Sequence, residues 1–120
     1  MSVQLQIDEM PGYLMARFIG AGAIEEVERQ FESLAEKCKS TKKYKLLLDF
    51  TEVPEDTSLV NKYELGKRTL VFAQYKCKVA AVCKPEHHDS SCFLATVAQN
   101  RWVDLRVFTS VEDAEKWLLV

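Results

Sequence analysis

The chain predicts an α/β domain: a mostly parallel five-stranded sheet with an antiparallel N-terminal edge strand, covered by four helices. Three observations carry this expectation. Period-two and period-3.6 apolar patterns alternate along the chain, which implies strand–helix–strand crossovers and therefore parallel pairing. Two short apolar runs, Leu46-Leu47-Leu48 and Val79-Ala80-Ala81-Val82, read as strands buried on both faces. The opening segment reads as a hairpin, which sets one antiparallel pair at the edge.

The elements follow in order. Val3, Leu5 and Ile7 alternate with Gln4, Gln6 and Asp8, the mark of a strand with one buried face. Met10-Pro11-Gly12 is turn chemistry, and Tyr13 to Ile19 is the returning strand, broken by Gly20-Ala21-Gly22. Ile24, Val27, Phe31, Leu34 and Cys38 recur at spacings of three and four and define an amphipathic helix. Its first turns are acidic and its end carries Lys37 and Lys39, as the helix dipole favours. Tyr44 to Phe50 is the third strand and Thr51 to Ser58 a polar loop. A second helix spans Leu59 to Gln74, with Gly66 a weak point worth about 1 kcal/mol relative to alanine. Lys78 to Lys84 is the fourth strand, Pro85 to Asp89 a loop, and Ser90 to Asn100 a third helix. Val103, Leu105 and Val107 alternate with Asp104 and Arg106 in the last strand. Ser110 caps a final helix that turns Trp117 and Leu118 inward.

Length and composition fit one domain over 1–120. With 48% apolar residues and only 4 glycines and 3 prolines, the chain can build a core without metal or disulfide staples. The four cysteines Cys38, Cys77, Cys83 and Cys92 are expected as reduced thiols in a cytoplasmic protein, since no export signal precedes them. Net charge is −2 with both signs interspersed. That pattern gives no support to nucleic-acid binding, and Lys37 to Lys45 reads as a helix end and its loop. No window is apolar enough for a transmembrane segment.

Chemistry-bearing residues concentrate after the third strand. Leu46-Leu47-Leu48-Asp49-Phe50 leads through Thr51-Glu52-Val53 to Asp56-Thr57-Ser58 at a helix start. This resembles the STAS domain of anti-sigma-factor antagonists. The whole chain resembles the SpoIIAA-like family of small bacterial proteins, through Tyr63-Glu64-Leu65-Gly66, Lys78 to Val82, and the ending Val107-Phe108-Thr109-Ser110 with Ala114 and Trp117-Leu118. The resemblance implies a non-enzymatic regulatory module whose helix-start Thr57 or Ser58, flanked by Asp56 and Asp49, is a phosphoacceptor. A phosphate there would meet free N–H groups and the positive dipole end. Simple capping is the alternative use of those hydroxyls. Leu59 and Val60 also replace the glycine that follows the serine in the family pattern, and Glu52, Glu55 and Asp56 would repel a phosphate. The SpoIIAA-like family's likeness to CRAL-TRIO lipid carriers implies a second function, carriage of a small apolar ligand. Leu59, Tyr63, Leu70 and Phe72 form the expected ligand or partner face.

Cys83, His87, His88 and Cys92 are spaced C-x3-H-H-x3-C. Thiolate and imidazole suit zinc, but the spacing fits no common zinc pattern. The same residues offer a Cys–His nucleophile pair with Cys92 as its thiol. No phosphate-cradling glycine loop, H-E-x-x-H motif or G-x-S-x-G elbow is present. The reading is a binding module with no catalytic residue and no cofactor. Its partner is a protein or a small apolar molecule, and the exposed edge strands make a homodimer plausible.

Overall fold

A computed structural model describes residues 4–20, 24–53 and 59–120, for residues 24 and 59–62 the backbone alone. The chain runs β1 (Gln4–Met10), β2 (Tyr13–Ile19), α1 (Ile24–Thr41), β3 (Lys45–Glu52), α2 (Leu59–Arg68), α3 (Leu70–Ala73), β4 (Lys78–Val82), α4 (His88–Gln99), β5 (Asp104–Phe108) and α5 (Val111–Leu118). A 3-10 turn over Pro85–His87 leads into α4. Val3 lies outside the described residues.

The five strands stand in chain order, β1-β2-β3-β4-β5. β1 and β2 are antiparallel, joined through Pro11 and Gly12 so that Met10 faces Tyr13. Pro11 fixes its own φ and Gly12 takes φ +87°, a left-handed value that glycine adopts freely. β2, β3, β4 and β5 are parallel, with Leu46 between Leu14 and Val79, and Val79 beside Leu105.

Because the strands are laid down in one direction, right-handed crossovers put α1, α2, α3 and α4 on the same face. That face holds the larger core: Leu14, Ala16 and Phe18 of β2, Leu46 and Leu48 of β3, and Val79 of β4 meet Phe31 and Leu34 of α1, Phe72 of α3 and Ala98 of α4. Phe31 packs on Phe72 with ring centroids 5.3 Å apart. The pleat sends the alternate residues to the other face. There Tyr13, Met15, Leu47, Ala80 and Val82 form a second, smaller core with Ala114 and Leu118 of α5. Ser110 caps α5, its hydroxyl accepting from the Asp113 N–H at 3.4 Å.

Three boundaries differ from the sequence expectation. β3 runs on through Thr51 and Glu52, because a register shift between Arg17 and Ile19 lets Ile19 pair with Glu52. The second helix breaks at Thr69, whose hydroxyl donates to the Gly66 carbonyl at 2.5 Å while the Phe72 N–H closes a tighter turn on the Thr69 carbonyl at 2.9 Å. The helix after β4 begins at His88, within the expected loop. All four cysteines are free thiols, and Cys38, Cys77 and Cys83 are buried.

Candidate functional site

In open parallel sheets ligands gather at the carboxyl ends of the strands, and that end carries the chemistry here. β2 and β3 place Arg17 and Asp49 side by side in register. Both project to the α5 face of the sheet. Asp49 is 4% exposed. Its Oδ1 accepts from the Thr51 backbone N–H at 2.9 Å and from the Thr51 hydroxyl at 2.6 Å. Its Oδ2 lies 3.5 Å from the Arg17 Nε. The carboxylate is thus fully engaged, and it fixes the backbone where β3 leaves the sheet. The Arg17 side chain is 40% exposed, with a second nitrogen 3.9 Å from the Met15 sulfur.

Asp49 was legible from its place at a strand end. Arg17 escaped the sequence reading. Its signal was the alternation of Tyr13, Met15 and Arg17 along one face of an otherwise apolar strand. Asp56, Thr57 and Ser58 lie outside the described residues, as does the side chain of Leu59. Tyr63 and Leu70 are exposed, at 39% and 48%. Phe72 is a correction to the expected face: it is fully buried, because the break at Thr69 turns it onto Phe31 in the main core.

The four residues of the C-x3-H-H-x3-C segment divide. Cys83 is buried at the end of β4, and His87 sits half-buried in the 3-10 turn. His88 and Cys92 meet one helical turn apart on α4, the sulfur 3.6 Å from Nε2. Among the described residues no three such groups converge as metal ligands. Burial pushes the Cys92 thiol up, and the nearby Asp89 and Cys83 add to the shift. A raised thiol stays protonated, the wrong direction for a nucleophile or a zinc ligand.

Beneath α2 the packing is close. A Cβ added at Gly66 would stand 2.7 Å from the Val97 Cβ and 3.0 Å from the Leu94 carbonyl, so α2 and α4 touch backbone to side chain. An open groove of about 470 Å³ lies instead between α1 and α3, lined by Arg29, Glu32, Glu36, Val71, Gln74 and Tyr75. Its charged rim does not suit an apolar ligand.

The fold and this site define the class: a parallel α/β sheet with an antiparallel edge, a buried carboxylate at its carboxyl end and a fifth helix on the far face. Comparison with solved structures gives that class its description, a SpoIIAA-like fold. An anti-sigma factor antagonist from Mycobacterium paratuberculosis superposes with a TM-score of 0.67 at 11% identity, covering 99% of this chain and 96% of that one. An uncharacterised protein of the DUF3478 family with a SpoIIAA-like fold, from Shewanella loihica PV-4, superposes with a TM-score of 0.55 at 22% identity, covering 97% and 93%. No protein-family model and no curated protein matches the chain. Among the described residues no helix is long and apolar enough to cross a membrane.

Proposed function

We propose that the chain is a non-catalytic regulatory module that binds a protein partner at the carboxyl end of its sheet, where β3 runs toward α2. The observation that carries this reading is the Asp49 carboxylate, held by both donors of Thr51 and by Arg17. A carboxylate so occupied is not a free acid or base. Its work is to fix the root of the segment that carries Asp56, Thr57 and Ser58. The part-exposed Arg17 gives that end a cation for an anionic group, either a phosphate on Thr57 or Ser58 or a partner's carboxylate. The fold shared with an anti-sigma factor antagonist supports a regulatory role.

The test has two readouts. Protein purified from its native cells is mapped for phosphate on Thr57 and Ser58. Wild type, Thr57→Glu, Ser58→Glu and Arg17→Ala forms are then used as bait for partner capture. The expected result is one protein retained by the wild type and lost or weakened in at least one glutamate variant and in Arg17→Ala. Retention that is indifferent to all three changes, with no phosphate found, overturns the reading.

A further inference from the structure

The opposite end of the sheet carries a surface that the reading above does not use. At this end helices finish and the parallel strands begin. Three non-glycine residues adopt left-handed φ there: Lys42 (+58°), Lys76 (+53°) and Trp102 (+67°). Each lies in a helix-to-strand turn, leading into β3, β4 and β5 in that order. Those strands are neighbours about 4.8 Å apart, so the three turns form one row.

Two of the turns are complete Schellman motifs. The Cys77 N–H reaches the Phe72 carbonyl at 3.0 Å and the Lys76 N–H the Ala73 carbonyl at 3.1 Å. The Val103 N–H reaches the Ala98 carbonyl at 3.1 Å and the Trp102 N–H the Gln99 carbonyl at 3.0 Å. The left-handed position of this motif is the one glycine ordinarily fills. Among the described residues glycine fills the other left-handed sites, Gly12 in the β1–β2 turn of this same end and Gly20. At the three helix-to-strand turns the chain places lysine, lysine and tryptophan instead, accepting strain that a glycine would remove.

Those strained positions display their side chains. Trp102 is 91% exposed, and Tyr44 and Leu119 also show apolar surface at this end. The same three turns carry Lys42, Lys43, Lys45, Lys76, Lys78 and Arg101 against the carboxylate of Asp104, and the exposed Glu9 adds one more at the neighbouring β1–β2 turn. Lys43 and Lys78 cap the Met10 and Trp117 carbonyls, while Arg101 lies over the Tyr63 ring. At the other end of the sheet the turns and first helical turns carry Glu25, Glu26, Glu52, Glu86, Asp89, Glu112 and Asp113 against Arg17 and Lys84. The helix dipole accounts for the sign at each end. It does not account for an exposed tryptophan in a glycine position.

We propose that this edge docks on the surface of an anionic lipid bilayer, with Trp102 in the headgroup layer and the exposed Lys42 and Lys76 against the phosphates. Charge complementarity and apolar tips set among cations are the pattern of an interfacial contact. The acidic opposite end is repelled by the same surface. Docking therefore points the carboxyl end of the sheet, with Asp49 and Arg17, away from the membrane.

Sedimentation with vesicles of phosphatidylcholine and phosphatidylserine, against phosphatidylcholine alone, tests the proposal. The expected result is salt-sensitive binding to the anionic vesicles only, with a blue shift in tryptophan emission. Trp102→Gly and the Lys42→Glu, Lys76→Glu pair should each weaken binding by about tenfold. Lys84→Glu, at the opposite end, should leave it unchanged. Trp102→Gly also separates folding from docking: relieved of its left-handed strain, it should melt no lower than the parent. No binding above the neutral vesicles overturns the proposal, as does equal loss with Lys84→Glu. Binding of the same edge to a single-stranded oligonucleotide or an acidic polypeptide, with no vesicle binding, overturns it in favour of that partner. None of these outcomes bears on partner capture at the other end.

Discussion

Asp49 and Arg17 touch each other, yet they contribute unequally. Replacing Asp49 by alanine leaves the Thr51 N–H and hydroxyl without their acceptor at a site that is 4% exposed, and should lower stability by about 2–3 kcal/mol. Arg17→Ala removes a side chain that is 40% exposed and 3.5 Å from its partner, and should lower it by less than about 1 kcal/mol. Urea unfolding midpoints of the two variants check the asymmetry. It also makes Arg17 the cleaner probe of function, since its loss leaves the fold in place. Tyr13 supplies a pH signature. Burial, then its 2.7 Å hydrogen bond to Glu115, pushes its phenol up to about 12 from an ordinary 10.0. The folded state therefore holds this proton more tightly than the unfolded chain. Its contribution is complete below pH 10 and disappears as pH rises through about 12, a loss on the order of 2 kcal/mol. Thermal melts across that window should show the decline in the wild type and a smaller one in Tyr13→Phe.

Between elements, the tightest seat is α2 on α4. Alanine at Gly66 would gain about 1 kcal/mol of helix propensity. Its Cβ would also stand 2.7 Å from the Val97 Cβ and 3.0 Å from a backbone oxygen, neither of which can swing aside. The clash prevails, and Gly66→Ala should destabilise by about 1–3 kcal/mol. Adding Val97→Ala removes the Cγ1 that would stand 2.8 Å away but keeps the Cβ, so it should recover only part of the loss, a non-additivity that a double-mutant cycle in urea measures. The sequence showed the glycine as a weak point in a helix. It did not show the partner helix that makes glycine necessary.

The same division between local and long-range signals runs through the other elements. The apolar runs of β3 and β4, the amphipathic stripe of α1 and the cap of α5 are local patterns, and each was readable from neighbouring residues. The break at Thr69 was hidden because the helical apolar spacing continues across it into Phe72. The extension of β3 to Glu52 depends on a register shift against β2, which no window around Thr51 contains. Asp49 was visible at its strand end, while its partner Arg17 lies 32 residues upstream and reaches it only through parallel register. The left-handed turns were hidden because their usual marker, glycine, is absent from all three.

Over the whole molecule, the alternation of helix ends and strand starts separates charge along the sheet axis. The net charge of −2 conceals this, since the basic turns before β3, β4 and β5 oppose acidic turns at the far end. A protein so polarised should be retained at neutral pH and low salt on a cation exchanger despite its negative sign. Lys42→Glu with Lys76→Glu should elute at lower salt, and Lys84→Glu at the salt of the wild type.

The strand order has a consequence for how the chain assembles. Every strand pairs with the one made just before it, so none must be inserted between two already in place. Each parallel pair still closes a long loop, as Arg17 and Asp49 do across 32 residues, so every addition waits on its crossover helix. A chain emerging from the ribosome can add one strand and its covering helix at a time to a growing edge. Only the far face waits: Tyr13, Met15 and Leu47 remain uncovered until α5, which follows β5, arrives to close over them. The interval before α5 emerges thus leaves that apolar face open to aggregation.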